Sequence, residues 1–233
     1  PSQNIDISPY LHQIPQWIIF EDTHVIVLNK PYNIATQGGS QQTLHIDGLM
    51  AAWMKKQGKS RPHLVHRLDK ETTGALIMAK TETMARTLGR LFSTQHVQKE
   101  YQAVIVGCPT SLIGTIQGGI LRSAHNYEKM VMHPEGRFSH TDYAIEKKGT
   151  LCSWGKFWPR TGRTHQIRVH CAHMGTPILG DGRYGQKRSF PHGRVPLHLH
   201  SARLTIPEIA LDIHAELPLS MKTTLEGLDR EEL

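Results

Sequence analysis

Apolar positions in this chain come mostly as short, β-branched runs, which read as strands, and only three stretches space them as a helix does. Trp17-Ile18-Ile19-Phe20 and Val25-Ile26-Val27-Leu28 flank the polar Glu21-Asp22-Thr23-His24, a pattern that predicts a hairpin. Pro31 has no amide hydrogen to give a ladder and ends the second strand. Residues 75–79 read as a buried strand, and further strands are predicted around 101–106, 115–120, 141–146, 151–158, 197–206 and 213–217. A helix is predicted over 45–56 from Ile46, Leu49, Met50 and Trp53. A second, over 81–94, carries Met84, Ala85, Leu88, Leu91 and Phe92, with Thr81 as its cap. The third runs over 164–174, with Thr164 as cap, Ile167 and Cys171 on one face, Gly175 as stop and Pro177 beyond. Residues 1–16, with Pro1, Pro9 and Pro15, read as a linker or an arm on the surface. Strands that follow one another directly predict an α+β fold, a mainly antiparallel mixed sheet flanked by helices, with the active-site cleft along the sheet. No repeat or composition shift divides residues 17–233, which predicts one catalytic-sized domain.

Composition narrows the class. With 38% hydrophobic residues in 233 the chain can bury a core, and no apolar run approaches the roughly 18 residues of a membrane span, so a soluble globular protein is expected. A formal charge of +7, from 27 Lys and Arg against 20 Asp and Glu, favours a polyanionic partner, nucleic acid first, although mildly basic proteins without one are common. Cys108, Cys152 and Cys171 are odd in number and widely spaced, which argues against a disulfide framework or a zinc ribbon and for a reducing compartment. The chain begins at Pro1 and not at Met, which leaves a preceding segment open.

The chemistry-bearing residues fall in three places. His66-Arg67-Leu68-Asp69-Lys70-Glu71-Thr72-Thr73-Gly74 puts one carboxylate among cations at a predicted turn. An ionised Asp69 can act as nucleophile, base or cation stabiliser, or it can be a turn aspartate bonded to its own backbone. Gly162-Arg163-Thr164-His165-Gln166-Ile167-Arg168-Val169-His170 opens a helix with basic side chains, suited to phosphate or carboxylate, or else a solvated basic face. Lys99-Glu100-Tyr101 opens a strand, where Tyr101 offers either a ring for a base or a core contact with one bonded hydroxyl. A metal reading of His165, His170 and His173 is weak, since no carboxylate stands at ligand spacing, and His198 with His200 reads as structural.

Taken in order, His66-Arg67-Leu68-Asp69 with Thr73-Gly74, Lys99-x-Tyr101, and Gly162 to Arg168 resemble the three motifs of the RluA-type pseudouridine synthases. Val27-Leu28-Asn29-Lys30-Pro31 resembles the leading motif, and Gly180-Asp181-x-x-Tyr184-Gly185 and Leu197-His198-Leu199-His200 resemble later landmarks, so the likeness covers about 17–228. The resemblance implies that Asp69 attacks or stabilises the anomeric carbon of a flipped-out uridine, that Tyr101 stacks on the base and helps remove the C5 proton, and that Arg168 pairs with Asp69. It implies substrate contacts from Arg67, which occupies the vacated position, and from His66, Ile167, Arg163, His165 and Lys30, with His66 equally suited to supporting the turn. No metal or organic cofactor is expected. Asn33 stands where the family commonly has Gly, and Asn tolerates the left-handed conformation; Thr73 stands where Ser is usual.

Ile34-Ala35-Thr36-Gln37-Gly38-Gly39 resembles the branch that modifies large-subunit (23S) ribosomal RNA. Members of that branch often carry an N-terminal S4 RNA-binding domain, which this chain lacks and which a start at Pro1 allows to have been removed. The expected partner is therefore 23S rRNA, with tRNA as the alternative, no membrane, a monomeric state, and a bacterial cytoplasmic or organellar-matrix setting. Two other classes stand against this reading: a non-catalytic RNA-binding or ribosome-assembly factor, disfavoured by the intact trio Asp69, Tyr101 and Arg168, and a metal-dependent hydrolase, which lacks a carboxylate-bearing ligand motif.

Overall fold

The computed structural model describes residues 6–39, 44–185 and 195–229, which form an α+β fold of five α-helices and eleven strands. These residues divide into two compact units, one within Pro1–Val97 and Arg203–Glu216, the other within Gln98–Ala202 and Leu217–Leu233. Sequence had pointed to one domain. No linker composition marks the crossings after Val97, Ala202 and Glu216.

The first unit opens with α1 (Ser8–Trp17), where a linker or arm was expected. Pro9 sits in the first turn, where a missing amide hydrogen is harmless, and Leu11, Ile14 and Trp17 are buried at helical spacing. β1 (Ile18–Glu21) and β2 (Val25–Lys30) form the predicted antiparallel hairpin. The Asp22 carboxylate closes it by accepting the amides of His24 and Val25, both at 2.7 Å. α2 (Ile46–Lys56) follows, its first turn capped by His45, whose Nδ1 accepts the Gly48 amide at 3.0 Å. β3 (His63–Leu64) pairs with β4 (Thr73–Ala79), and β4 also pairs with β2, both antiparallel. All seven residues of β4 are buried, as a strand covered on both faces must be. α3 (Glu82–Ser93) is capped by Thr81, which accepts the Met84 amide at 3.2 Å, and lays Leu88 and Leu91 on the core.

The second unit is a run of antiparallel pairs. β5 (Gln98–Val106), β6 (Ile113–Arg122), β7 (Met130–Met132), β8 (Arg137–Lys148) and β9 (Cys152–Pro159) lie in the order β5-β9-β8-β6-β7. α4 (Gln166–His173) packs its Ile167 and Cys171 against Ala103, Ile105 and Phe157 of this sheet. β10 (Leu199–Ile206) then changes unit at Arg203, and its second half pairs with β11 (Leu211–His214) to complete the first unit's core with Leu204, Ile206, Leu211 and Ile213. α5 (Leu219–Asp229) returns to the second unit, where Leu228 and Leu225 pack on Val104, Cys152 and Trp154. All three cysteines are free, and burial pushes the Cys152 thiol up to about 11. Among the described residues no helix is long and apolar enough to cross a membrane.

Candidate active site

In the first unit the chemistry gathers at the turn between β3 and β4. Asp69 is half-buried, and its carbonyl accepts the Thr72 amide at 3.1 Å, closing the turn. The residue before it is clamped: the Thr36 hydroxyl donates to the Leu68 carbonyl at 2.7 Å and accepts the Leu68 amide at 3.1 Å. From the other side Lys30 donates to the carbonyls of Lys70, Pro31 and Ile34 at 3.1, 2.9 and 2.8 Å. A buried ammonium has three donors, and here all three meet carbonyl oxygens. Burial lowers the Lys30 pKa to about 7, against the nearby negative charge of Asp69, which works to raise it. Asn33, in the loop that Lys30 braces, adopts φ 63°, the left-handed conformation expected of a residue standing for Gly, and Gly74 opposite Lys30 takes φ 110°.

Lys30 was expected to contact substrate; with no exposed surface and its donors spent, it instead ties the leading motif to the Asp69 turn. His66 likewise faces inward. Its ring stacks on Phe92 at 4.4 Å, and its Nε2 accepts the Ile77 amide at 3.0 Å, which puts the ring proton on Nδ1 and gives His66 a role in holding the turn. Arg67 is exposed.

In the second unit the site is built on β5, the start of α4 and the loop after it. Tyr101 lies opposite Phe157 in the β5–β9 pair and packs, partly buried, on the apolar cluster that includes Ile167. α4 starts one residue later than a cap at Thr164 predicts. Gln166 is the reason: its carbonyl oxygen accepts the Arg163 amide and the Thr161 hydroxyl, and its amide donates to His140 O and to Thr141 Oγ1. His165, not Thr164, is therefore the N-cap, held at φ 55° and ψ 22° with its Nδ1 2.6 Å from the Tyr184 hydroxyl. A non-glycine residue in that conformation persists only where its surroundings impose it. Arg163 donates through Nε to the Phe138 carbonyl at 2.8 Å.

Arg168 is the most constrained of the expected residues. It is buried and donates in a fork to both oxygens of Asp181, each at 2.8 Å, while its Cζ lies 5.3 Å from the centroid of the Tyr184 ring. Burial works to raise the Asp181 pKa, but the hydrogen bonds and charge of Arg168, with the amides of Tyr184 and Arg183, outweigh it and hold the carboxyl below its ordinary value. Gly180 and Gly185 make this loop possible. A Cβ at Gly180 would stand 2.1 Å from the Pro196 carbonyl oxygen, and one at Gly185 2.4 Å from that of Asp181.

The structure thus brings Asp69, Lys30 and His66 together in one unit, and Tyr101 with Ile167 and Arg168 with His165 in the other. Asp181 and Tyr184 were legible only as parts of a landmark, with no role attached; the signal was a carboxylate between two glycines and an aromatic three residues on. His170 belongs to the core: it lies 2.8 Å from Ser139 Oγ and 2.9 Å from Thr141 Oγ1, and burial lowers its pKa to about 4. Among the described residues no cluster of three His, Cys, Asp or Glu side chains is arranged to hold a metal ion.

Comparison with known proteins gives one answer. A sequence model described as RNA pseudouridylate synthase matches residues 24–173. The ribosomal large subunit pseudouridine synthase C of Rickettsia prowazekii is 35% identical over 212 residues, which cover 88% of this chain and 69% of that protein. RNA pseudouridine synthase 4, mitochondrial, of Arabidopsis thaliana is 29% identical, with 91% of this chain and 55% of that protein covered. Among solved structures, human RNA pseudouridylate synthase domain containing 4 superposes with a TM-score of 0.83 at 28% identity, covering 95% of this chain and 96% of that one.

Proposed function

The chain belongs to the RNA pseudouridylate synthase family and is an RNA pseudouridine synthase, an isomerase; from that premise we propose that it converts specific uridines of 23S ribosomal RNA to pseudouridine, with Asp69 as the catalytic carboxylate. The observation that carries the assignment is the setting of Asp69. Its backbone is clamped by Thr36 before it and by Lys30 after it, so the carboxylate is aimed by the main chain while remaining half-exposed to a substrate.

Isomerisation breaks the C1′–N1 bond, turns the base and joins C5 to C1′, with the C5 proton lost and a proton gained at N1. Positive charge develops at the sugar as the first bond breaks, and a fixed carboxylate is complementary to it whether it attacks C1′ or stabilises the cation. Tyr101 stacks on the freed base over the apolar floor that Ile167 contributes, and this keeps the base from water while it turns. Arg168, held by both oxygens of Asp181, places a fixed positive charge in the second unit's site. The target leaves its stack at a cost of about a few kcal/mol, and the exposed Arg67 fills the gap it leaves. A net charge of +7 supports salt-dependent attraction to the rest of the RNA. The ribosomal target rests on the relatives named for the large ribosomal subunit, and the setting proposed is bacterial cytoplasm or an organelle matrix, with the enzyme acting as a monomer.

The test is tritium release from RNA labelled at uridine C5. Wild-type protein is expected to release tritium from 23S rRNA, and Asp69→Asn to bind that RNA and release none. Binding without release by the wild type, on rRNA and tRNA alike, would leave an RNA-binding assembly factor as the reading; release from tRNA alone would move the target.

A further inference from the structure

The β6–β7 hairpin carries an aromatic side chain that the proposed reaction does not use. Its tip is closed by the Ser123 amide on Lys129 O and by the Lys129 amide on Asn126 O, both at 2.9 Å. The Ser123 hydroxyl accepts the amides of His125 and Asn126, and the Asn126 side chain accepts that of Glu128. Arg122 donates to the Tyr127 carbonyl at 2.8 Å, and Arg183 to the Glu128 carbonyl at 2.6 Å. The Met130 amide donates to the hydroxyl of Tyr184, the residue that also meets His165 and lies under Arg168. Every one of these bonds falls within the second unit, so the tip is fastened to the same loop that aims Arg168.

On this fixed backbone the Tyr127 side chain stands 75% exposed. The bonds fix the main chain that carries the ring, so little backbone freedom is left to lose when something stacks on it. Charge on the tip chooses the occupant: Arg122 and Arg183 hold the carbonyls of Tyr127 and Glu128, Lys129 follows two residues on, and Glu128 is the one carboxylate within residues 123–129, so a flat ring on a cationic tip matches a nucleobase on its phosphate backbone. We propose that the tip is an RNA-contact element in which Tyr127 stacks on an unpaired base flanking the target uridine. The inference rests on RNA being the substrate of the second unit's site, and it adds a place at which the enzyme reads unpaired RNA next to its target.

The test titrates a fluorescein-labelled, unstructured RNA of about twelve nucleotides, near the length that stacking grooves track, with wild type, Tyr127→Ala and Tyr127→Trp across the same series of salt concentrations. Loss of one stacked base is expected to weaken Tyr127→Ala binding about tenfold, and Tyr127→Trp to restore it. The slope of affinity against salt should be the same for all three, since a phenol neutralises no phosphate. Tyr127→Ala binding within about twofold of wild type overturns the proposal. Tritium release by wild type separates the two readings: release with unchanged Tyr127→Ala binding sinks this inference alone, and no release with weakened binding sinks the reaction while this contact stands.

Discussion

A single carboxylate, Asp181, decides how well Arg168 can be placed. Arg168 is buried and its fork lies on both Asp181 oxygens, so Asp181→Ala takes from a buried guanidinium its bidentate partner. Breaking such a pair costs about 3–5 kcal/mol, and urea unfolding should show a loss of that order, with Asp69→Asn changing stability much less. Equal stability of Asp181→Ala and wild type would mean the fork contributes nothing net. At the same scale the sequence was unevenly legible. Asp69 announced itself because a lone carboxylate among cations is locally odd. Asp181 did not, because its partner sits 13 residues away on a helix and only folding brings the two together. Lys30 was visible as a motif residue, yet its inward direction depends on which face of β2 the core covers.

Among the elements, α4 joins chemistry to stability. His170 on its buried face has a folded pKa of about 4, below the ordinary value of 6.5, because burial penalises the charged ring. A depressed folded pKa means that the unfolded chain takes up the proton first as pH falls. Its contribution is therefore fully present above about pH 6.5 and is lost on the way down to about pH 4, by up to about 3 kcal/mol. His170→Gln should flatten that part of the stability–pH curve, and an unchanged curve would assign the acid sensitivity elsewhere. Gly180→Ala is expected to be worse for the Asp181 loop than any surface change, since φ is 78° there and the new Cβ would meet a backbone oxygen that cannot swing away. A thermal midpoint within a few degrees of wild type would contradict this. The hairpin β1–β2 and the helices α2 and α3 were legible because their periodicity and caps are local. α1 was not: Pro9 and Pro15 read as breakers, while Leu11, Ile14 and Trp17 at helical spacing proved the stronger signal once they had a core to enter.

For the whole molecule, a charge of +7 was the first hint of a nucleic-acid partner, and it carries its own prediction. Contact with about four phosphates lowers affinity on the order of 100-fold between about 50 and 200 mM salt, and filter binding to rRNA should show a fall of that kind. A flat response would argue that the charge serves solubility alone. The α+β class was legible from strands following strands. The division into two units was not, because the chain leaves the first unit at Val97 and re-enters it at Arg203 in mid-strand, with no glycine or proline tract at either point.

That re-entry also sets an order of events on the ribosome. Leu204, Ile206, Leu211 and Ile213 fill the core on which Val27, Ile77 and Leu88 lie, yet they are translated more than a hundred residues after Leu88. A nascent chain holding the Asp69 turn must keep that apolar surface open until β11 clears the exit tunnel, a long interval of exposure in which chaperones can bind. The enzyme's active form is thus a late product of its own synthesis, and a stalled chain ending before Arg203 should be a holdase client with no power to modify RNA.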